Sequence, residues 1–317
     1  MKILVTGGAG FIGSNVVDTY IENGHEVVVV DNLFTGKVEN LNPEAKFYLM
    51  DIRAQEFHKL LEYERPDIIN HHAAQISVPG SVVDPQFDAS VNIKGFINIL
   101  EGARSYGTKK VIFISSGGAI YGEAAEYPTT ENYPPQPLSP YAISKAISEN
   151  YLAFYRHHYG LDYVVLRYAN IYGPRQIPYG EAGVVSIFME RLLAGKPCML
   201  FHYPGDLQGM IRDYCYVGDV VKANLLALDS EIDMAFNIGT GVETKTQTLF
   251  ETIFDLVNDV ISIDPSLRKP VRAEARPGDL TKSCLNIDLA MNKLGWRPET
   301  DLKQGLENTL KWQIKKE

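Results

Sequence analysis

Residues 5–15 read VTGGAGFIGSN. The stretch ends a short β-branched run, KILVT (2–6), and opens a segment of helical periodicity at about 12–23. It therefore joins a strand to a helix. Gly8, Gly10 and Gly13 form G-x-G-x-x-G, and Gly7, Gly10 and Gly13 stand three apart. Such glycines allow a tight turn, close backbone approach to a pyrophosphate, and close helix-to-strand packing. The helix start adds free N–H groups and a positive dipole end for phosphates. The next run, EVVVVD (26–31), ends on Asp31, eighteen residues past Gly13. A carboxylate there can accept both hydroxyls of a ribose and would repel a 2′-phosphate, which points to NAD rather than NADP. Asp51-Ile52, closing a third run, is placed to flank the adenine, although an Asp there also suits a strand-end turn.

Outward from this unit, KFYLM (46–50), DIINH (67–71), KVIFIS (110–115), YVVLRY (163–168) and MAFNIG (234–239) read as further strands. They are continuous apolar runs, as expected where helices cover both faces of a sheet. Helices are predicted at about 85–106 and 140–158. The second starts at Ser139-Pro140, an N-cap followed by proline at the first helical position, and stops at Gly160. The pattern predicts an α/β fold, a Rossmann-type doubly wound parallel sheet with right-handed crossovers. After Tyr172 the rhythm changes: GPRQIPYGEAG (173–183) and FHYPGDLQG (201–209) are loop-like, and helices dominate. The expected division is a dinucleotide-binding domain of 1–172 plus about 214–240. A smaller, mostly helical substrate-binding domain would take about 173–213 and 241–317.

The bulk numbers fit. A chain of 317 residues exceeds the usual size of one core. A net charge of −9 argues against a nonspecific nucleic-acid binder. Cys198, Cys215 and Cys284 are odd in number and widely spaced, so reduced buried thiols are expected. No apolar run approaches the roughly 18 residues of a membrane helix. Met1-Lys2 lead straight into the first strand, which predicts a cytoplasmic protein without a leader.

PLSPYAISKAISENY (137–151) sets Tyr141 and Lys145 four apart on one helix face. A phenol near pKa 10 is a poor base at neutral pH, but an adjacent ammonium and an oxidised nicotinamide would stabilise its phenolate. Such a tyrosine can take a proton from an alcohol while hydride leaves the same carbon. Tyr-x-x-x-Lys alone is common; downstream of a dinucleotide turn it gains meaning.

GGAGFIG, Asp31, the serine-bearing strand end and YAISK together resemble the extended short-chain dehydrogenase/reductases. RYANIYGPRQ, MIRDYCYVGDV, FNIGTG and RPGD narrow the resemblance to sugar-nucleotide enzymes of the UDP-glucose 4-epimerase type. That resemblance implies NAD-dependent 4-epimerisation of a UDP-hexose in galactose metabolism, through a transient 4-keto sugar, by a homodimer. Tyr141 would be the base and Lys145 its partner. Phe11, Ile12, Asn32, Thr35, Gly36, Ala73, Ala74, Gln75, Asn92 and Tyr168 would complete the NAD site. Arg212 and Arg276 would grip the diphosphate, and Asn170, Gly183, Val184 and Asp279 would hold the rest of the nucleotide. The resemblance also makes Ser283 the gate for the sugar C2 substituent, and its small size predicts that N-acetyl forms are accepted. The longer HYPGDLQGM loop (202–210) would border the sugar. The helices at 85–106 and 140–158 would pair between subunits, through residues such as Phe87, Val91, Ile97 and Tyr151.

One position is open. The family's usual Ser or Thr, four residues before the tyrosine of the YG pair, falls here on Gly117. Ser116 would face away from the pocket unless Gly117-Gly118 bends the chain. Either that bend brings Ser116 into the site, or no hydroxyl assists Tyr141. In the second case a non-catalytic NAD-binding regulator is an alternative. UDP-glucuronate 4-epimerisation is another, with Arg175 serving the sugar carboxylate. A 4,6-dehydratase is disfavoured because Gly118-Ala119 stands where an acid pair would expel the C6 hydroxyl. His71-His72 lacks companions at ligand spacing, so no metal is expected.

Overall fold

The structure is a computed structural model that describes residues 1–178, 183–276 and 278–316. The predicted loop at 173–183 and the RPGD segment therefore lie partly outside the described residues. The first half alternates β1 (Lys2–Thr6), α1 (Phe11–Glu22), β2 (Glu26–Asp31), β3 (Lys46–Leu49), α2 (Glu56–Glu64) and β4 (Ile68–His71). Short helices α3 (Val78–Val83) and α4 (Pro85–Ala89) lead into α5 (Phe96–Tyr106), β5 (Lys110–Ser116), α6 (Pro140–Tyr159) and β6 (Asp162–Tyr168). The predicted helix at 85–106 runs without a gap, but Ser90–Gly95 winds as a wider π turn, from which the Asn92 side chain bonds the Gln75 backbone. Such bulges recur at functional sites. Ser139 caps α6 through Ala142 N–H, and Gly160 closes it at φ +71°.

Beyond β7 (Asn170–Tyr172) come α7 (Val184–Leu193), β8 (Met199–His202), β9 (Ile211–Arg212), β10 (Tyr214–Tyr216) and α8 (Val217–Asp229). The chain then returns to the main sheet as β11 (Met234–Ile238). It ends with β12 (Thr244–Lys245), α9 (Thr246–Ile261), β13 (Val271–Glu274) and α10 (Leu302–Lys316).

Seven parallel strands form the central sheet in the order β3-β2-β1-β4-β5-β6-β11. The order reverses between β1 and β4, and ligands of such sheets bind beyond the strand ends at this switch. One face packs α1 and α8 onto the sheet through Val16, Tyr20, Val220 and Phe236. The other packs α2, α5 and α6 through Phe57, Phe96, Leu100 and Leu152. A separate core unites α7, α9 and α10 around Tyr172, Phe188, Phe250 and Leu306. No described helix is long and apolar enough to cross a membrane. All three cysteines are buried and free, their thiols pushed up by burial.

Candidate active site

A cavity of about 600 Å³ runs along the C-terminal ends of β1, β2, β4, β5 and β6. A smaller one of about 210 Å³ lies beside it, against α7 and β8. The two share Val78, Gly118, Ala119, Asn170, Val184 and Tyr214 as a common wall.

The glycine turn floors the first cavity with Gly7, Gly10, Phe11, Ile12 and Gly13. Gly7 sits at φ +72°, and a Cβ on it would fall 2.6 Å from Ala73 N. A Cβ on Gly13 would stand 2.2 Å from the Gly7 carbonyl oxygen. A side chain at either place would strike backbone atoms, so the turn closes this tightly only with glycine there. Gly10 caps α1 without a side-chain acceptor, leaving the first N–H groups facing the cavity. Asp31 is buried and accepts from Ala9 N–H (3.0 Å) and Leu33 N–H (2.8 Å). Burial raises its pKa, and those two N–H groups oppose the rise. Gly36 lies behind the lining: a Cβ there would meet Asp31 Oδ1 at 2.9 Å. Among the described residues the arrangement fits an adenosine ribose on a carboxylate and phosphates on a glycine cradle.

At the adenine end, Asn32, Thr35, Asp51 and Ile52 line the cavity as expected. The Arg53 guanidinium grips Asp51 at 2.8 and 2.9 Å and holds its carboxyl down at about 2. Sequence reading missed Arg53, although its place two residues after Asp51 was a signal. Phe87 and Val91 also line this cavity, so they face inward rather than toward a second subunit. Tyr151 packs against the α2–α5–α6 core.

Ala73, Ala74 and Gln75 form the wall after β4. Asn92 sits one layer back and clamps Gln75, Oδ1 taking the Gln75 N–H (2.8 Å) and Nδ2 giving to its carbonyl (2.9 Å). Burial keeps His71 and His72 neutral. His71 is stacked on Phe96 at 4.9 Å, and His72 Nε2 is buried beside the cavity without a partner among the described residues. No cluster of three or more His, Cys, Asp or Glu is arranged for a metal among the described residues. Tyr168 borders the cavity, but its hydroxyl is committed to Asn224 (2.6 Å).

The reactive groups stand where β5 meets α6. Ser116 is the last residue of β5, and its carbonyl accepts from Ala119 N–H (3.2 Å) and Ile120 N–H (3.0 Å). The chain therefore bends immediately after Ser116. Ser116 lines the larger cavity with Tyr141, close enough to draw the phenol's pKa down, while Ser115 turns to Glu149 (2.6 Å). A Cβ on Gly117 would instead strike Leu285 Cδ1 at 2.6 Å, in a small core away from the cavity. Of the two positions, Ser116 and not Gly117 lies on the cavity wall.

Electrostatics correct one expectation. Tyr141 is pushed up to about 12 by burial, and its pull downward comes from Ser116, not from Lys145. Lys145 Nζ donates to the Ile114 carbonyl (2.8 Å) and lies 5.9 Å from the centre of the Tyr141 ring. Burial brings Lys145 down to about 8, against the upward pull of Asp88 and Glu149. The protein's own groups thus favour the neutral phenol, and a cation brought into the site would favour the phenolate. Lys145 is an ammonium below that pKa and neutral above it. If its charge matters to turnover, kcat/KM should fall as pH rises through about 8. A profile flat well beyond that pH would remove the ammonium from the mechanism.

Arg212, Arg276 and Asp279 line the smaller cavity with Asn170 and Val184, and Gly183 lines the larger one. The Arg212 guanidinium donates to the Ile211 (2.9 Å) and Leu280 (2.7 Å) carbonyls and has no ion pair among the described residues. A largely buried cation so placed favours an anionic ligand. Arg276 is paired with Asp279 at 3.0 Å and stacks over Phe201. Ser283 lines neither cavity: it is buried and gives its N–H to the Ile211 carbonyl (3.0 Å). The expected C2 gate is therefore not at this residue. Of the long loop, Met210 alone reaches the smaller cavity, while Tyr203 ties the loop to the Asp279 carbonyl.

A glycine cradle, a buried acid ending the second strand and a Ser–Tyr–Lys set at one sheet end are the features of a nicotinamide-dependent enzyme of the extended short-chain dehydrogenase/reductase class. The chain belongs to the NAD dependent epimerase/dehydratase family, whose model matches residues 3–239. It is 44% identical over 311 residues to a putative UDP-glucose 4-epimerase of Methanocaldococcus jannaschii, covering 98% of this chain and 97% of that protein. The crystal structure of Thermotoga maritima UDP-glucose 4-epimerase with UDP-glucose is 50% identical, with TM-score 0.93 and coverage of 100% and 99%. The Thermus thermophilus UDP-glucose 4-epimerase complex with NAD is 45% identical, with TM-score 0.91 and 98% coverage of both chains.

Proposed function

We propose that this chain interconverts UDP-glucose and UDP-galactose by NAD-dependent 4-epimerisation. The observation that carries the reading is the junction of the two cavities. Ser116 and Tyr141 line a cofactor-sized cavity that shares a wall, Gly118 and Ala119 among it, with one lined by two arginines. Bound oxidised NAD supplies a hydride acceptor and a positive charge beside Tyr141. Tyr141 Oη takes the C4 hydroxyl proton, with the Ser116 hydroxyl steadying the same oxygen. Arg212 and Arg276 keep the diphosphate anchored while the 4-keto sugar turns about it. Hydride would then return to the opposite face of C4 as Tyr141 gives the proton back to the C4 oxygen. Binding strength is thereby concentrated on the part that must not move.

The alternatives have less support. Gly118 and Ala119 carry no acid to expel a C6 hydroxyl. Arg175, the candidate partner for a uronate, is paired with Asp18 at 2.6 Å and lines neither cavity. Residues 1–172 with about 214–240 would serve the cofactor, and about 173–213 with 241–317 the sugar nucleotide. A homodimer in the cytoplasm, serving galactose metabolism, belongs to the same reading. Ile143 and Phe154 on α6 are exposed apolar residues that a second copy could cover.

The test is incubation of the purified protein with UDP-galactose, without added NAD, followed by proton NMR of the anomeric signals. UDP-glucose should appear. Retained NAD with no conversion of any UDP-hexose, uronate or N-acetyl sugar would favour the regulator.

A further inference from the structure

Outside both cavity linings, a buried ion pair joins Glu149 on α6 to Arg167 on β6, Nη2 to Oε2 at 2.6 Å and Nε to Oε1 at 3.1 Å. Each partner has one further bond to the same segment of chain. Ser115 Oγ donates to Glu149 Oε1 (2.6 Å), and Arg167 Nη1 donates to Tyr121 Oη (2.8 Å). Tyr121 Oη in turn donates to Asn237 Oδ1 (2.8 Å). Ser115 and Arg167 are also direct neighbours across β5 and β6. The two ends of segment 115–121 are thus fastened to a single ion pair. Between them lie Ser116, whose hydroxyl meets Tyr141, and Gly118 and Ala119 of the shared cavity wall.

The fastening has geometric work to do. Neighbouring side chains of a strand point to opposite faces, so the rotation of the strand end about its axis decides where both serines point. One ladder bond continues past Ser116, from Gly118 N–H to the Tyr168 carbonyl (3.1 Å), while the Ser116 carbonyl turns to Ala119 and Ile120 N–H. Gly117 and Gly118 restrict the backbone little. Bonds to the Ser115 hydroxyl on one side and to the Tyr121 phenol on the other constrain the segment further.

We infer that Glu149 and Arg167 are positioning residues, which aim the Ser116 hydroxyl at Tyr141 by clamping Ser115 and Tyr121. The consequence for turnover rests on the epimerase reading; the geometric claim does not. Ser115→Ala, studied as the NAD-loaded protein, removes one clamp and leaves the ion pair intact. Its kcat for UDP-galactose should fall about tenfold, a part of the 10²–10⁴ that a whole proton-transfer group contributes. KM, NAD content and melting temperature should stay near those of the unaltered protein, and Ser115→Thr, which keeps a hydroxyl, should restore the rate. A crystal structure of the loaded Ser115→Ala protein tests the aim whatever sugar is turned over. Ser116 should have rotated out of hydrogen-bond reach of Tyr141 Oη. An unmoved Ser116, or an undiminished kcat in a protein that does interconvert UDP-hexoses, overturns the inference. So does a kcat loss matched by equal losses of NAD content and melting temperature, which marks the pair as structural support only. An unaltered protein that converts no sugar nucleotide would sink the epimerase reading instead, and the crystal structure would still decide the clamp.

Discussion

Tyr141→Phe should stop the interconversion of UDP-glucose and UDP-galactose, lowering kcat by about 10²–10⁴ or more, while bound NAD stays in place. The phenol is the α6 hydroxyl that lines the larger cavity beside Ser116. Losing its oxygen removes the acceptor for the C4 proton and leaves Ser116 without a partner there. The glycine cradle, Asp31 and the Gln75 wall do not depend on that oxygen, so NAD content, measured on the denatured protein, should be unchanged. The variant should also stay folded, since a buried phenol pushed up to about 12 is held neutral, and phenylalanine fills nearly the same volume. Undiminished turnover would show that some other group moves the proton.

The second large effect is expected at the other end of the cavity. In Gly13→Ala, the added Cβ meets the Gly7 carbonyl oxygen at 2.2 Å, the Gly7 carbonyl carbon at 2.9 Å and Gly8 Cα at 3.1 Å. All three are backbone atoms, so no side chain can rotate away. The turn and α1 must separate, which costs on the order of 1–3 kcal/mol of stability and displaces the N–H groups that face the phosphates. Purified Gly13→Ala should therefore carry little or no NAD, and calorimetry should find the affinity for added NAD weakened about 100-fold or more, equivalent to about 2.7 kcal/mol. Full NAD occupancy with an unchanged melting temperature would mean that the cradle is wider than its contacts indicate.

The division between what was legible and what was not follows the range of the interactions involved. The first strand, turn, helix and second strand could be read because their signals are local: Gly10 and Gly13 meet atoms of their own turn. Tyr141 and Lys145 could be read because helical spacing puts them on one face, and Ser139 and Gly160 mark the limits of that helix. The orientation of Ser116 could not, because Gly117 is packed against Leu285, far away in sequence. Nor could the π turn within the 85–106 helix, whose Asn92 side chain reaches Gln75 on a separate loop. The neutral state of Tyr141 is a property of burial, which spacing does not reveal, and sequence reasoning assigned Lys145 a pull that its bond to Ile114 directs elsewhere. Ser283 matched a motif position, yet it is enclosed behind β9. Arg53 was the local signal that went unread: it stands two residues from Asp51, whose carboxylate it pairs with.

Where the two compartments adjoin, the stretch of partition that follows Ser116 is one glycine and one alanine. A joint that bare behaves like a swivel: the ring meets little friction, and the tail carries the restraint. Discrimination between hexoses is then weak at the head and strong at the nucleotide, so enlarging residue 118 or 119 should narrow the range of sugars handled before it weakens their capture.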